Sequence, residues 1–426
     1  MKIIEGVLLM KIKIDFVAPP FSGHLYPMIE LAMPLLEKEK YEIRFITGPK
    51  KIPLLEELGF KTEPLLSEQP EVMEKISNIR RSMFSLLKQL KQNIALFPKL
   101  KMEIENLILN NKTDIVVADF VAIHAGVVCD KYNIPWITTI PTPFAIENRT
   151  GTPGYFGGLI NSDKIIFKVR DYLARKLALL VKKMIWLINI KTFKKFNLKI
   201  YRSDGTETIY SNYSILGLGM EEFEFKRDWP KSFKFIGPCC NSPEKPIKLN
   251  IPFEKYKNAA LISIGTHLNW AKEKIKEDIK YLSDKFPDIL FIISMGNSNS
   301  GINEPIFTDR NRMIFEYIPY SQYFDRFTFI IHHGGAGITY NCIKYMKPSI
   351  VVPHDFDQFD FAARVEYRKI GKRIKKIKSY HAIRAIKQIL AGEYETNIRK
   401  INEDYQRYNT VNEFENEIQR VLKGRE

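Results

Sequence analysis

Phe329-Ile-Ile-His-His-Gly-Gly-Ala-Gly-Ile-Thr339 is the stretch on which the reading of this chain turns. It runs from an apolar strand, through a glycine-rich turn, into Tyr340-Asn-Cys-Ile-Lys-Tyr-Met346, which has helical character. A strand that feeds a helix in this way leaves the first backbone N–H groups unpaired, at the positive end of the helix dipole. Gly334, Gly335 and Gly337 also remove the Cβ atoms that would keep a ligand off that backbone. The turn is a candidate cradle for a diphosphate. Glycine turns between strands and helices are common, however, and most bind nothing, so the rest of the chain must support the reading.

Outward from this turn, short strand-like runs alternate with longer helical patterns. Ile12–Val17, Glu42–Thr47, Asp114–Ala118 and Trp136–Ile140 are apolar or β-branched, while Met28–Glu39 and Ser82–Leu109 repeat apolar residues at helical spacing. A second series comprises Ala259–Ile264, Ile289–Ser294, Met313–Phe315, Phe329–Ile331 and Ser349–Val352. Such alternation predicts βα units on parallel sheets, an α/β fold. Between the series, Gly237-Pro-Cys-Cys-Asn-Ser-Pro-Glu-Lys-Pro246 has the composition of a linker. The expected division is 1–238, a linker at 239–251, a second half at 252–400, and a helix at 401–426 returning towards the first half. Ligands of open parallel sheets bind beyond the carboxyl ends of the strands, so a cleft between the halves is the expected site.

With 426 residues the chain can build two or three cores, and its net charge of +16 favours anionic partners. Most of that excess reads as lysines spread over a solvated surface. No nucleic-acid-binding motif is present, and no run interleaves basic and aromatic residues in the manner of such proteins. The four cysteines, Cys129, Cys239, Cys240 and Cys342, lack metal or disulfide-framework spacing and fit a reducing compartment. Met1–Met10 is too short and charged for a signal peptide, and no run of about 20 uncharged apolar residues predicts a spanning helix. A cytoplasmic protein is expected. Lys164–Lys199 reads as a basic amphipathic helix or helix pair, expected to cover the first sheet with its lysines in water. The same pattern also suits peripheral contact with an anionic membrane at its inner face.

Two residues of the first half bear on chemistry. His24, in Pro19-Pro-Phe-Ser-Gly-His-Leu-Tyr-Pro27, follows the first strand and is a candidate general base. Asp119 ends another strand on the same sheet edge, where a carboxylate could orient that imidazole. Asp119 could equally cap the next helix. His124 sits less favourably on that helix.

These residues resemble the nucleotide-sugar-dependent glycosyltransferases of the GT-B type, two Rossmann-like domains facing a cleft, and in particular the UDP-glycosyltransferases and the bacterial macrolide and glycopeptide enzymes. Phe16–Ala32 is similar to the family's opening strand, Gly-His-x-x-Pro turn and first helix. Asp119 occupies the place of the histidine's partner, and Ile262-Ser-Ile-Gly-Thr266 is like the first loop of the donor domain. Phe315-Glu-Tyr-Ile-Pro319, His333-Gly-Gly-Ala-Gly337, Asp357-Gln358 and Ala362-Ala-Arg-Val365 complete the match in the family's order.

The resemblance implies an inverting transfer in which His24, steadied by Asp119, takes the proton of an acceptor hydroxyl. It also implies an acceptor-binding first half and a donor-binding second half. His333, Gly335, Gly337, Ile338 and Thr339 would hold the diphosphate of a UDP- or dTDP-sugar, with Ser263 and Thr266 nearby. Tyr317 and Ile318 would meet the base, and Asp357 and Gln358 the sugar hydroxyls. No metal or other cofactor is implied, although Asp355, Asp357 and Asp360 are spaced in a manner that could suggest a cation. The family's ribose-binding acid is replaced by Asn341, and its base-stacking tryptophan by Tyr317, which leaves UDP and dTDP open. The long Asn148–Gly158 loop is expected to meet a lipophilic acceptor, with Phe144, Arg149 and Tyr155 as contacts. A nucleotide-sugar epimerase on the same fold and a basic membrane- or anion-binding protein are the alternatives. The sequence leaves the oligomeric state open.

Overall fold

The computed structural model describes residues 11–73, 83–263, 269–298 and 301–424; Thr266 and the first ten residues lie outside them. The first sheet comprises β1 (Ile12–Val17), β2 (Tyr41–Thr47), β3 (Lys61–Pro64), β4 (Ile115–Asp119), β5 (Trp136–Ile140), β6 (Ser214–Gly217) and β7 (Phe233–Phe235). Its order is β3-β2-β1-β4-β5-β6-β7, and every neighbouring pair is parallel. The second comprises β8 (Asn258–Ser263), β9 (Ile289–Ser294), β10 (Phe307–Asp309), β11 (Arg312–Phe315), β12 (Phe329–His332), β13 (Ser349–Val351) and β14 (Gly371–Arg373). Its order is β10-β11-β9-β8-β12-β13-β14, parallel except at the β10–β11 edge.

Helices cover both sheets. Around the first lie α1 (Ser22–Leu36), α2 (Ile52–Glu57), α3 (Met83–Asn111), α4 (Ile123–Tyr132), α5 (Ile165–Ile188) and α6 (Ile190–Lys195). The second carries α7 (Asn269–Lys285), α8 (Tyr320–Tyr323), α9 (Ala336–Lys344), α10 (Gln358–Tyr367), α11 (Tyr380–Leu390) and α12 (Glu395–Tyr405), after which comes α13 (Thr410–Lys423). Central strands such as β4 and β9 are buried along their whole length. Burial on both faces is why they read as unbroken apolar runs rather than alternating ones. The strands that escaped sequence reading, β3, β6, β7, β10 and β14, have only three or four residues each and show no period.

Each sheet changes direction of progression once, between β1 and β4 in the first and between β8 and β12 in the second. Adjacent loops diverge to opposite faces there and leave a crevice. His24 follows β1, Asp119 ends β4, Ser263 ends β8 and His333 follows β12. Both crevices therefore carry the residues singled out from sequence.

The last helix packs on the first sheet. Phe414 of α13 lies 6.0 Å from Phe16 of β1, and Ile418 and Val421 join the same core. Glu415 pairs with Lys38 and, at 2.8 Å, with Lys40. The chain thus passes between the sheets twice, and the two passages touch. At Gly237 (φ +104°) a Cβ would fall 2.4 Å from Thr410 Oγ1 and 2.7 Å from Tyr408 Cβ, so only glycine fits. Between the sheets, Phe144, Met220, Phe223, Tyr340, Val351 and Phe361 form a shared apolar cluster.

One expectation is overturned. Instead of covering the first sheet with its apolar side, α5 turns polar groups inward. Thr152 Oγ1 donates to Asp171 at 2.6 Å, Arg175 reaches the Gly151 carbonyl, and Lys182 meets Glu147 and Glu207 at 2.5 and 2.6 Å. These ion pairs and hydrogen bonds with the 147–152 segment and Glu207 fix the helix with its leucines outward.

Candidate active site

At the first crevice the His24 Nδ1 lies 3.0 and 3.1 Å from the two carboxylate oxygens of Asp119. Register sets this up: Val17 of β1 pairs with Ala118 of β4, so the residues that follow leave the sheet side by side. Asp119 Oδ1 also accepts the Val121 N–H at 3.0 Å, which pins the carboxylate. Its side chain caps the turn between β4 and α4, while the N-cap position of α4 is taken by Ala122, which makes no side-chain cap. The imidazole ring stacks on Phe120 at 5.5 Å and meets the edge of Phe21 at 6.1 Å. With Nδ1 bound as donor to a carboxylate, Nε2 is the nitrogen left to accept a proton.

Burial alone would lower the His24 pKa, but the Asp119 charge and hydrogen bond outweigh it, and Asp357 from the second half adds to the rise. The net direction is upward from 6.5. Since the folded value is raised, the pair contributes stability that is complete at pH below the unfolded value. That contribution is lost as pH rises through the folded value. His24 is expected to titrate in NMR spectra with a midpoint above 6.5. In Asp119→Asn burial prevails and the midpoint moves down; an unmoved midpoint would show that Asp119 does not act on the ring. His124, half-buried against Phe97 at 4.6 Å, is held near pKa 4 by desolvation and stands apart.

The second crevice is built by the glycine turn. His332 Nδ1 accepts the Gly334 N–H at 3.0 Å, while burial drives its pKa down to about 3, so the ring stays neutral. It acts as a prop for the turn. Gly334 has φ +96°, and a Cβ there would lie 2.8 Å from the Gln358 carbonyl. His333, lying over Gly335, approaches the Ser263 carbonyl at 3.4 Å. Ala336, Gly337 and Ile338 form the first turn of α9, where amides have no preceding helical carbonyl. Thr339 turns its hydroxyl back to the Gly335 carbonyl at 2.7 Å, within the helix. The Ser263 hydroxyl, expected near phosphate, lies 2.8 Å from the Tyr320 hydroxyl.

The flanking loops complete this crevice. Ile318 is buried, and its N–H donates to Ser294 Oγ at 3.3 Å. Tyr317 donates its phenol to Glu244 at 2.5 Å. Glu244 also accepts the Tyr320 and Ser321 N–H groups at 3.2 and 3.1 Å. Sequence reading missed this linker carboxylate; its only signal was an acid within a Pro-rich stretch. Gln358 Oε1 accepts the His354 and Asp355 N–H groups at 2.8 and 3.0 Å. That leaves the amide nitrogen as the end of Gln358 able to donate outward. Asn341 is committed elsewhere, donating to the Cys240 and Gly337 carbonyls at 2.7 and 3.0 Å. It ties the linker to α9. Among the described residues, no group of three or more His, Cys, Asp or Glu side chains could hold a metal ion.

The loop expected to meet an acceptor spans the two halves. Tyr155 N–H donates to Asp360 at 2.9 Å, and Arg373 donates to the Gly158 carbonyl at 2.7 Å. Tyr155 itself is exposed, next to the cleft-side helix α10. Phe144 is not at an open surface: it is 1% exposed, between Phe361 at 5.3 Å and the Arg364 guanidinium at 4.2 Å. Arg149 lies exposed with its N–H on Asp228, and no hydrogen bond or ion pair among the described residues joins it to His24. Arg364, which lies within the Ala362–Val365 match, forms a buried ion pair across the halves at 2.6 Å with Glu224, which sequence reading missed.

Known proteins share this layout. Residues 56–406 match the family described as UDP-glucoronosyl and UDP-glucosyl transferase. The chain is 21% identical to the NDP-glycosyltransferase YjiC of Bacillus subtilis (strain 168) over 364 residues, covering 85% of this chain and 84% of that protein. It is 19% identical to the zeaxanthin glucosyltransferase of Pantoea ananas, covering 90% of each. The crystal structure of the glycotransferase of kitacinnamycin superposes with a TM-score of 0.74 at 17% identity, over 97% of this chain and 99% of that one. At that identity the superposition establishes the fold, GT-B.

Proposed function

Because the chain belongs to the UDP-glucoronosyl and UDP-glucosyl transferase family, a glycosyltransferase on a GT-B fold, we propose an inverting sugar transfer between its two crevices. The donor is a UDP- or dTDP-hexose or deoxyhexose, and the acceptor a hydroxyl of a lipophilic small molecule. One observation carries the reading. The His24–Asp119 pair of the first sheet lies close enough to Asp357 of the second for that charge to act on the imidazole.

His24 Nε2 takes the acceptor hydroxyl proton as the oxygen bonds to the anomeric carbon. The bond from that carbon to the diphosphate oxygen breaks on the opposite face, which inverts the centre. Asp119 stabilises the imidazolium so formed. Negative charge developing on the leaving diphosphate meets His333 and the unpaired amides of Gly337 and Ile338, where preorganised donors lower a barrier most. This scheme requires no divalent metal. Asp357 and the Gln358 amide bind sugar hydroxyls, and the Tyr317 ring lies against the base. The zeaxanthin glucosyltransferase among the relatives supports a lipophilic acceptor.

The test is a donor and acceptor screen. UDP- and dTDP-sugars are incubated with polyene, macrolide and flavonoid alcohols, and released nucleoside diphosphate and product mass are measured. A glycoside of one donor class is the expected product. If neither UDP nor dTDP binds by calorimetry, the glycine turn is not a diphosphate cradle and the proposal fails.

A further inference from the structure

Along the outward side of α5 runs an apolar stripe: Ile166, Leu173, Leu177, Leu180, Met184 and Leu187 are each more than half exposed. A surface helix normally turns such a stripe into the core. Here the inward side is taken by Asp171, Arg175 and Lys182, held by the Thr152, Gly151, Glu147 and Glu207 partners described above. Exposed contiguous apolar surface of this kind marks an interaction site. Its rim is cationic. Lys164, Lys168, Lys176, Lys183, Lys191 and Lys194 are all exposed. Between Lys164 and Lys199 the sole acidic residue is Asp171, which is buried and bound to Thr152 and Arg170.

We propose that this face seats on an anionic lipid surface, with α5 in the plane of the interface and its lysines against the headgroups. Charge selects this occupant over a second copy of the chain. Self-association through α5 would bring lysine rims together on molecules of net charge +16, whereas an anionic bilayer supplies both countercharge and an apolar layer. No helix among the described residues is long and apolar enough to cross a membrane, so the attachment is peripheral. Because the inward side of α5 holds the 147–152 segment, a seated molecule presents its acceptor loop close to the lipid. The inference stands on exposure and charge, independently of the transfer chemistry.

The full-length protein is tested by co-sedimentation with phosphatidylcholine vesicles, with and without phosphatidylglycerol. Binding is expected only with the anionic lipid, and it weakens as salt screens the lysines. The triple variant Leu173→Glu, Leu177→Glu, Leu180→Glu and the triple variant Lys168→Gln, Lys176→Gln, Lys183→Gln should each bind at least about tenfold more weakly. Their far-UV circular dichroism and their UDP or dTDP binding should match the parent, since the altered side chains face solvent. Absence of binding to anionic vesicles overturns the proposal, as does binding unaltered by the leucine changes. A dimer in analytical ultracentrifugation that the leucine variant abolishes, with no vesicle binding, would assign the face to a second copy instead. None of these results bears on whether the crevices transfer sugar.

Discussion

His24→Ala is expected to lower kcat for sugar transfer by about 100- to 10,000-fold, the usual contribution of a positioned general base. Affinity for the nucleoside diphosphate should change little, because the proposed cradle belongs to the other sheet. The loss arises at one atom. With Nδ1 fixed on Asp119, Nε2 is the ring nitrogen able to accept the acceptor proton, and alanine supplies no acceptor there. Steady-state rates with each active donor, beside calorimetric titration with UDP or dTDP, separate the two effects. Transfer within a few-fold of the parent would remove His24 as base while leaving the donor site in place. The raised pKa sets the pH dependence. With His24 as the proposed base the neutral ring is the active form, so kcat/KM should climb with pH through a midpoint above 6.5, and this limb should vanish in His24→Ala.

Arg364→Ala should cost about 3–5 kcal/mol, the typical penalty for removing one partner of a buried ion pair. Arg364 and Glu224 are 1% and 2% exposed, and the guanidinium lies between Phe144 and Phe225 at 4.2 and 4.4 Å. Two of its nitrogens donate to Glu224 Oε2, at 2.6 and 2.9 Å. Among the described residues Glu224 Oε1 has no hydrogen-bond partner, so alanine leaves a buried carboxylate without a side-chain donor, offset only by the charges of Arg227 and Arg368. Glu224 precedes β7 in the first half and Arg364 lies on α10 of the second, so the penalty falls on the contact between halves. Urea unfolding followed by near-UV circular dichroism should show one transition in the parent and two in Arg364→Ala, a departure from two-state behaviour. Arg364→Met combined with Glu224→Leu should recover most of the loss, as apolar replacement of buried pairs often does. A single variant as stable as the parent would mean that Phe144, Phe361 and their neighbours hold the halves without the ion pair.

Local pattern made the parallel sheets readable. The long central strands announce themselves because burial on both faces demands unbroken apolar runs, as in Ile115–Ala118 and Ile289–Ile293. His24 and Asp119 were legible as strand-end residues, but their meeting depends on β1 and β4 being neighbours. A single sequence does not state that adjacency. The orientation of α5 was illegible for a different reason. Amphipathic spacing gives the width of an apolar stripe and not the side it faces. That choice lies with Thr152, Glu147 and Glu207, each remote in sequence from the helix residue it binds. Phe144 misled because an aromatic before a long loop looks the same whether it lines a pocket or fills an interface. Asn341 stands where the resemblance places a ribose ligand, yet both amide hydrogens are spent on the Cys240 and Gly337 carbonyls.

The contact of Gly237 with Tyr408 and Thr410 brings both passages of the backbone between the sheets to one waist. Cys240 Sγ and the Tyr405 hydroxyl meet 3.6 Å apart at the same waist, so the two passages are fastened to each other at more than one place. Turning one half against the other about this waist would have to break the buried Arg364–Glu224 pair and the shared apolar cluster, and sliding would shear both passages at once. Any Cβ placed at 237 would push the two passages apart. Cutting one passage would not part the halves, since the other still holds them in register.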